Sequence, residues 1–286
     1  MIKQHIIHIA GGVARNPLVR LAHPVSLDFI SGEHIAIVGP NGAGKSLLVD
    51  YLTGKYPLRE GELTYDFHPS STATAYDNIK YIAFRDTYGA ADANYYQQRW
   101  NSHDMEDVPM VRDMLGEIKD EALKEELFGL FHIEPMLDKK VVLLSSGELR
   151  KFQLTKTLLS APRVLILDNP FIGLYAHTRQ QLFELLERLS RRPDIQLVLV
   201  LSMLDDIPPF ITHVIPVGNK KVAEKVGREA YLEHFRRTSP SLPVDELRSR
   251  ILSLPYDTEN YTSSEVVGLN KVSIRYGERT ILKELD

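Results

Sequence analysis

The chain has 286 residues, 43% of them hydrophobic and 25% charged, with a net charge of −4 and no cysteine. That length can bury a sizeable core in one large domain or two small ones, and the composition excludes disordered and fibrous classes. The longest apolar run, residues 197–204 interrupted by Ser202, is far short of the roughly 20 residues that span a bilayer, so a membrane role has to pass through a partner. Residues 1–20 carry Lys3, His5, His8, Arg15 and Arg20 and contain no apolar signal core, which predicts a cytoplasmic protein, at most peripheral at the inner face of the membrane. Without a block of basic charge no grip on a phosphate backbone is encoded, and nucleic acid is not an expected partner.

In chain order, residues 33–39 form a short apolar run that ends in a Gly/Pro/Asn turn, and residues 45–52 follow with helical apolar spacing. Residues 61–66 and 78–84 read as edge strands, and the polar stretch 94–136 predicts a helical insertion. Residues 163–168 and 196–202 are continuous apolar runs that predict buried strands, separated by an amphipathic helix over 178–191. Alternating strand and helix predict an α/β fold with a mainly parallel sheet core, an antiparallel edge subdomain and a helical subdomain. Past Gly218 the pattern weakens; residues 228–237 and 244–252 read as linker helices around a Ser/Pro turn at 239–243. Alternation returns over 266–282 around a turn at Gly277-Glu278.

Three motifs carry chemistry. Gly39-Pro40-Asn41-Gly42-Ala43-Gly44-Lys45-Ser46, followed by Leu47, fits a phosphate loop. Its glycines let main-chain amides approach phosphate oxygens, Lys45 reaches the outer phosphates and Ser46 is placed to ligate Mg²⁺. Asp168 closes an apolar strand, where a carboxylate can hold Mg²⁺ directly or through water. Leu144-Ser145-Ser146-Gly147-Glu148 opens a helix about 20 residues earlier, and a helix N-terminus with a serine and a glycine amide accepts phosphate.

In this order and spacing the three motifs resemble the ATP-binding cassette of ABC-type ATPases, a P-loop NTPase fold, over about residues 5–217. The resemblance implies ATP and Mg²⁺ as ligands. It also implies a sandwich in which each ATP lies between the phosphate loop of one cassette and the Leu-Ser-Gly-Gly-Gln-like signature of another, supplied by the same full-length chain or by a homodimer. The segment 202–214 is similar to the ModF-type tandem cassettes of molybdate transport or photorepair. The end of the chain resembles the opening strands of a second cassette, in which Tyr276 would stack on adenine. The expected organisation is a nucleotide-binding domain at 1–225 with its helical insertion at about 94–140, linker helices at 226–264, and the start of a truncated second cassette at 265–286.

The pattern also departs from the family. Asn169 stands where the catalytic glutamate is usual, and a neutral amide cannot take the proton of the attacking water, a loss of about 10²–10⁴ in rate. Met203 occupies the position of the histidine that contacts the γ-phosphate, and a thioether donates no hydrogen bond. Tyr175 replaces the D-loop aspartate, no glutamine stands at the expected Q-loop position after residues 82–86, Gln97 and Gln98 lying too far along the chain, and no aromatic lies between Gly11 and Leu21. These departures predict a site that holds ATP·Mg²⁺ but turns it over slowly. A transmembrane permease is the expected recipient of cassette closure, docking at the insertion near Tyr95, Tyr96 and Trp100. A soluble tandem ATPase acting on nucleic acid or ribosomes is the alternative; against it, the basic residues of 220–250 are largely offset by Glu224, Glu229, Glu233, Asp245 and Glu246. A nucleotide sensor without turnover is the third reading.

Overall fold

The apolar runs become a sheet buried on both faces. In a computed structural model, residues 4–83, 109–116, 118, 120–172, 176–202, 207–238, 249, 253, 272–276 and 279–285 are described. The elements of the first half are β1 (His5–Ala14), β2 (Val25–Ile30), β3 (Ile35–Val38), α1 (Lys45–Leu52), β4 (Leu58–Tyr65), α2 (Ala75–Asn78), β5 (Ile79–Ala83) and α3 (Glu121–Phe131). They are followed by α4 (Ser146–Leu159), β6 (Val164–Asp168), α5 (Ala176–Leu189), β7 (Gln196–Leu201), β8 (His213–Gly218), β9 (Lys221–Val222), β10 (Val226–Gly227) and α6 (Arg228–Thr238). A hairpin of β11 (Val272–Tyr276) and β12 (Arg279–Leu285) comes last.

The central sheet runs β10-β8-β3-β7-β6-β5, with β9 also on β8. From β8 to β5 all pairings are parallel, and only β9 and β10 run antiparallel. A second sheet, β2-β1-β4, is antiparallel. This is the predicted α/β architecture. The two expected edge strands, β4 and β5, are edges of different sheets.

Alternate residues of each central strand feed two cores. Leu165, Leu167, Leu197, Leu199 and Leu201 pack with α3, α4 and α5, whereas Val164, Ile166, Val198 and Val200 pack with β1, β2 and α1. Two covered faces explain why β6 and β7 read as unbroken apolar runs. In the insertion, α3 is capped at its start by Asp120, which accepts from Leu123 N at 2.9 Å, and ends at His132 in the left-handed region. Residues 94–108 of the expected insertion, with Tyr95, Tyr96 and Trp100, lie outside the described residues.

The chain divides into two compact units, Met1–Phe235 and Arg236–Asp286. The first extends past the expected boundary at 225, because Val226 and Gly227 pair with Val214 and His213 at the edge of the central sheet. Of the second linker helix, at 244–252, only Ser249 is described. In the last hairpin Tyr276 pairs with Arg279 across the expected turn. Among the described residues no helix is long and apolar enough to cross a membrane.

Buried His34 joins three of these strands. Its Nε2 donates to Ser190 O at 2.7 Å, its Nδ1 accepts from Leu197 N at 3.1 Å, and its carbonyl accepts from Thr212 N and His213 N. These partners require a neutral ring protonated on Nε2. Burial pushes its pKa below the usual 6.5, against a smaller opposing effect of the Ser190 carbonyl. The unfolded chain therefore takes up the proton first, and the contribution of His34 to stability is full above about pH 6.5 and lost as pH falls below it. The Tm of the protein should fall between about pH 7 and about pH 5 more steeply than that of a His34→Gln variant.

Candidate functional site

Beyond Val38 the chain leaves the sheet through a turn that glycine makes possible. A Cβ on Gly39 would lie 2.0 Å from the Val217 carbonyl oxygen, so only glycine fits against β8 at that point. Its amide donates to Leu201 O at 3.2 Å, and Ala43 N donates to Pro40 O at 3.1 Å. Gly42 and Gly44 have φ of 79° and 106°, and Gly44 packs against the Lys220 backbone, whose amide donates to Ala43 O at 2.7 Å.

The loop delivers α1 with no side-chain cap at its N-terminus. The first amides of a helix have no partner within it, and they carry the positive end of its dipole. Lys45 is 7% exposed. Its ammonium arches back over the loop, donating to Gly39 O at 2.6 Å and Pro40 O at 3.0 Å. A cavity of about 310 Å³ opens here, lined by Asn41, Gly42, Gly44, Lys45, Ser46 and Leu47 on one side and by Asp168, Asn169 and Lys220 on the other.

The far wall is a hydrogen-bonded chain of side chains. Buried Asp168 accepts from the Tyr81 hydroxyl on Oδ2 at 2.8 Å and from Asn169 Nδ2 on Oδ1 at 2.7 Å. Asn169 has a φ of 51°, in the left-handed region that asparagine tolerates. Its Oδ1 accepts from Ser202 N at 3.1 Å, and Ser202 Oγ donates to Asn41 Oδ1 at 2.9 Å. The ends of β5, β6 and β7 are thus tied to the phosphate loop.

Tyr81, Ser202 and Lys220 carry no motif and were not among the residues expected from the sequence. Sheet order brings them in: Ala83 pairs with Asp168 and Val38 with Leu201. Met203 and residues 173–175 lie outside the described residues.

The third motif forms a separate surface. Ser145 caps α4, its Oγ accepting from Glu148 N at 3.2 Å while Glu148 Oε2 accepts from Ser145 N at 2.9 Å, a reciprocal capping box. Lys139 adds a 2.6 Å ion pair to Glu148 Oε1. Burial alone raises the Glu148 pKa, but the Lys139 ammonium and the Ser145 amide and hydroxyl outweigh it and hold the carboxyl below its ordinary value. Ser146 opens the helix, and Ser145 and Gly147 are exposed, with nothing within 4 Å of a Cβ placed on Gly147. Ser145, Gly147 and Glu148 do not line the phosphate-loop cavity. The motifs therefore sort into one cavity and one outward-facing helix start.

This geometry agrees with what the comparisons with known proteins found. The ABC transporter family model matches residues 22–172. An ABC transporter ATP-binding protein of Schizosaccharomyces pombe is 27% identical over 94% of this chain, and Escherichia coli ABC transporter ATP-binding protein ModF is 31% identical over 89% of it. The chain spans 58% and 51% of the lengths of these two relatives. Among solved structures, cbiO1 of Clostridium perfringens, part of the ABC transporter complex cbiONQ, superposes with a TM-score of 0.58 at 20% identity, covering 86% of this chain and 99% of that one. With its phosphate loop, strand-end aspartate and capped signature-like helix, the chain belongs to the ABC transporter family as an ATP-binding cassette.

Proposed function

We propose that this cassette binds ATP·Mg²⁺ at the phosphate loop and closes against a second cassette, in the same full-length chain or in a homodimer, to drive a transmembrane permease. The observation that carries this reading is the single cavity onto which Lys45, Ser46, Asp168 and the glycine-rich loop open together. The donor set suits a polyphosphate with its metal: an uncapped helix start and an ammonium for the anion, a hydroxyl and a carboxylate for the cation. In this assignment Gly39, Pro40, Asn41, Gly42, Ala43 and Gly44 shape the loop. The main chain at Gly42 and from Gly44 to Leu47 offers its amides to phosphate oxygens, and Lys45 exchanges two carbonyls for them. Ser46 and Asp168 hold Mg²⁺, whose charge offsets that of the phosphates.

Ser145, Ser146, Gly147 and Glu148 serve the opposite ATP, bound to the partner cassette. The exposure of Ser145 and Gly147, and the absence of Ser145, Gly147 and Glu148 from the lining of this chain's own cavity, support that division. Glu148 secures the helix start through the capping box, which engages the Ser145 hydroxyl and leaves the Gly147 amide for the ligand.

Hydrolysis in the cavity formed with this phosphate loop is proposed to be slow. Asn169 supplies no base, and its amide is occupied at both ends by Asp168 and Ser202. The same observation favours a second reading, a nucleotide sensor that closes without turnover. Molybdate is the proposed cargo, on the strength of the similarity to ModF. Equilibrium titration of the purified chain with ATP, with and without magnesium, tests the core of the proposal. Magnesium-dependent, saturable binding is expected, and its absence would refute the assignment.

A further inference from the structure

The antiparallel sheet carries a second set of ligating side chains, remote from the phosphate loop in both sequence motif and cavity. Its origin lies in the segment His5-Ile6-Ile7-His8. In a regular strand neighbouring side chains point to opposite faces, so residues 5 and 8 would also be on opposite faces. Here Ile6 and Ile7 are both fully buried, and the register against β2 shifts between His5 and Ile7. Such a bulge returns His5 and His8 to one outward face.

Across the pairing, Asp28 stands opposite His8, between buried Leu27 and Phe29. Its Oδ1 lies 2.7 Å from His5 Nδ1 and 2.6 Å from His8 Nδ1. The two rings meet edge to face at 6.0 Å between centroids, and one ligand atom from each of the three residues lies within 4.8 Å of the others. The side chains are 54%, 40% and 39% exposed, so water has access to the cluster.

We propose that His5, His8 and Asp28 form a binding site for a divalent transition-metal ion of the zinc class. Two imidazole nitrogens and one carboxylate oxygen are the donor set of such ions, with bonds of about 2.0–2.2 Å, whereas Mg²⁺ prefers oxygen alone. Donor atoms already gathered on one point need only small side-chain rotations to admit an ion, and water fills the remaining positions. Without the ion, the same carboxylate oxygen accepts from both rings. Lys225, a cation beside Asp28, donates to its main-chain carbonyl at 2.6 Å and is ion-paired with Glu33, so its charge is already balanced. An ion here would clamp β1 to β2 at the start of the sheet that covers the nucleotide-side core.

Calorimetric titration of the full chain with zinc chloride, without nucleotide or magnesium, tests the site. One ion per chain is expected, with affinity lowered at least about tenfold by His8→Ala and by Asp28→Asn, and unchanged by His23→Ala at an exposed histidine elsewhere. Zinc should also raise the Tm of the parent chain and of His23→Ala but not of the other two, with far-UV circular dichroism verifying their fold. If His8→Ala does not fold, Asp28→Asn alone decides. Absence of stoichiometric binding, or undiminished affinity in a folded Asp28→Asn variant, overturns the proposal.

Discussion

Alanine at position 45 is expected to weaken magnesium-dependent ATP binding by about a hundredfold or more while leaving the cassette folded. Charge-assisted hydrogen bonds contribute about 1.5–3 kcal/mol each, and two of them lost from a polyphosphate amount to at least the ~3 kcal/mol that corresponds to that factor. The ammonium is prepared for this exchange. It rests on the carbonyls of Gly39 and Pro40, at 2.6 and 3.0 Å, so that binding replaces one pair of acceptors with another and requires little reorganisation. Those carbonyls border an open cavity, and water can satisfy them once the side chain is removed, which limits the stability change to roughly 1 kcal/mol. Titration calorimetry with and without magnesium, beside a thermal melt, separates the two effects. Unchanged ATP affinity in a folded Lys45→Ala variant would mean that the triphosphate is held elsewhere.

How much of this was legible in the sequence depends on burial and on distance along the chain. β3, β6 and β7 announce themselves because both faces of the sheet are covered and every residue in them is apolar except Asp168 at the end of β6 and Gln196 at the start of β7. β1 is harder to see. Its register shifts twice, Ile6 and Ile7 are buried side by side, and the alternation that marks a half-buried strand is broken. The phosphate loop was visible because the residues that shape it are contiguous and its conformation depends on glycine at fixed positions, Gly39 above all. The opposite wall was not, since Tyr81 reaches Asp168 from 87 positions away and Ser202 reaches Asn41 from 161 away, by sheet order rather than by spacing. Asn169 is the intermediate case. Its identity raises the expectation of a missing base, but only the fold reveals that its amide ties Asp168 to the end of β7.

That tie governs what glutamate would do at position 169. The Asn169→Glu variant is expected to be less stable than the parent chain by about 2–3 kcal/mol in the absence of nucleotide. It loses the 2.7 Å donor to buried Asp168, sets a second carboxylate beside the first, and forces a residue less tolerant than asparagine into a φ of 51°. ATP·Mg²⁺ should recover much of the loss, because the cation offsets the paired negative charges. Asn169→Ala separates these effects, since it removes the same hydrogen bonds without adding charge, and its deficit should respond less to magnesium at matched ATP occupancy. If slow turnover follows from the missing base, Asn169→Glu in an assembled pair of cassettes raises hydrolysis by about 10² or more at saturating ATP·Mg²⁺, whereas Asn169→Ala does not. Equal turnover in the two folded variants would instead mean that a carboxylate at position 169 does not govern hydrolysis, and asparagine there would then serve the bridge between Asp168 and Ser202 rather than restraint of chemistry.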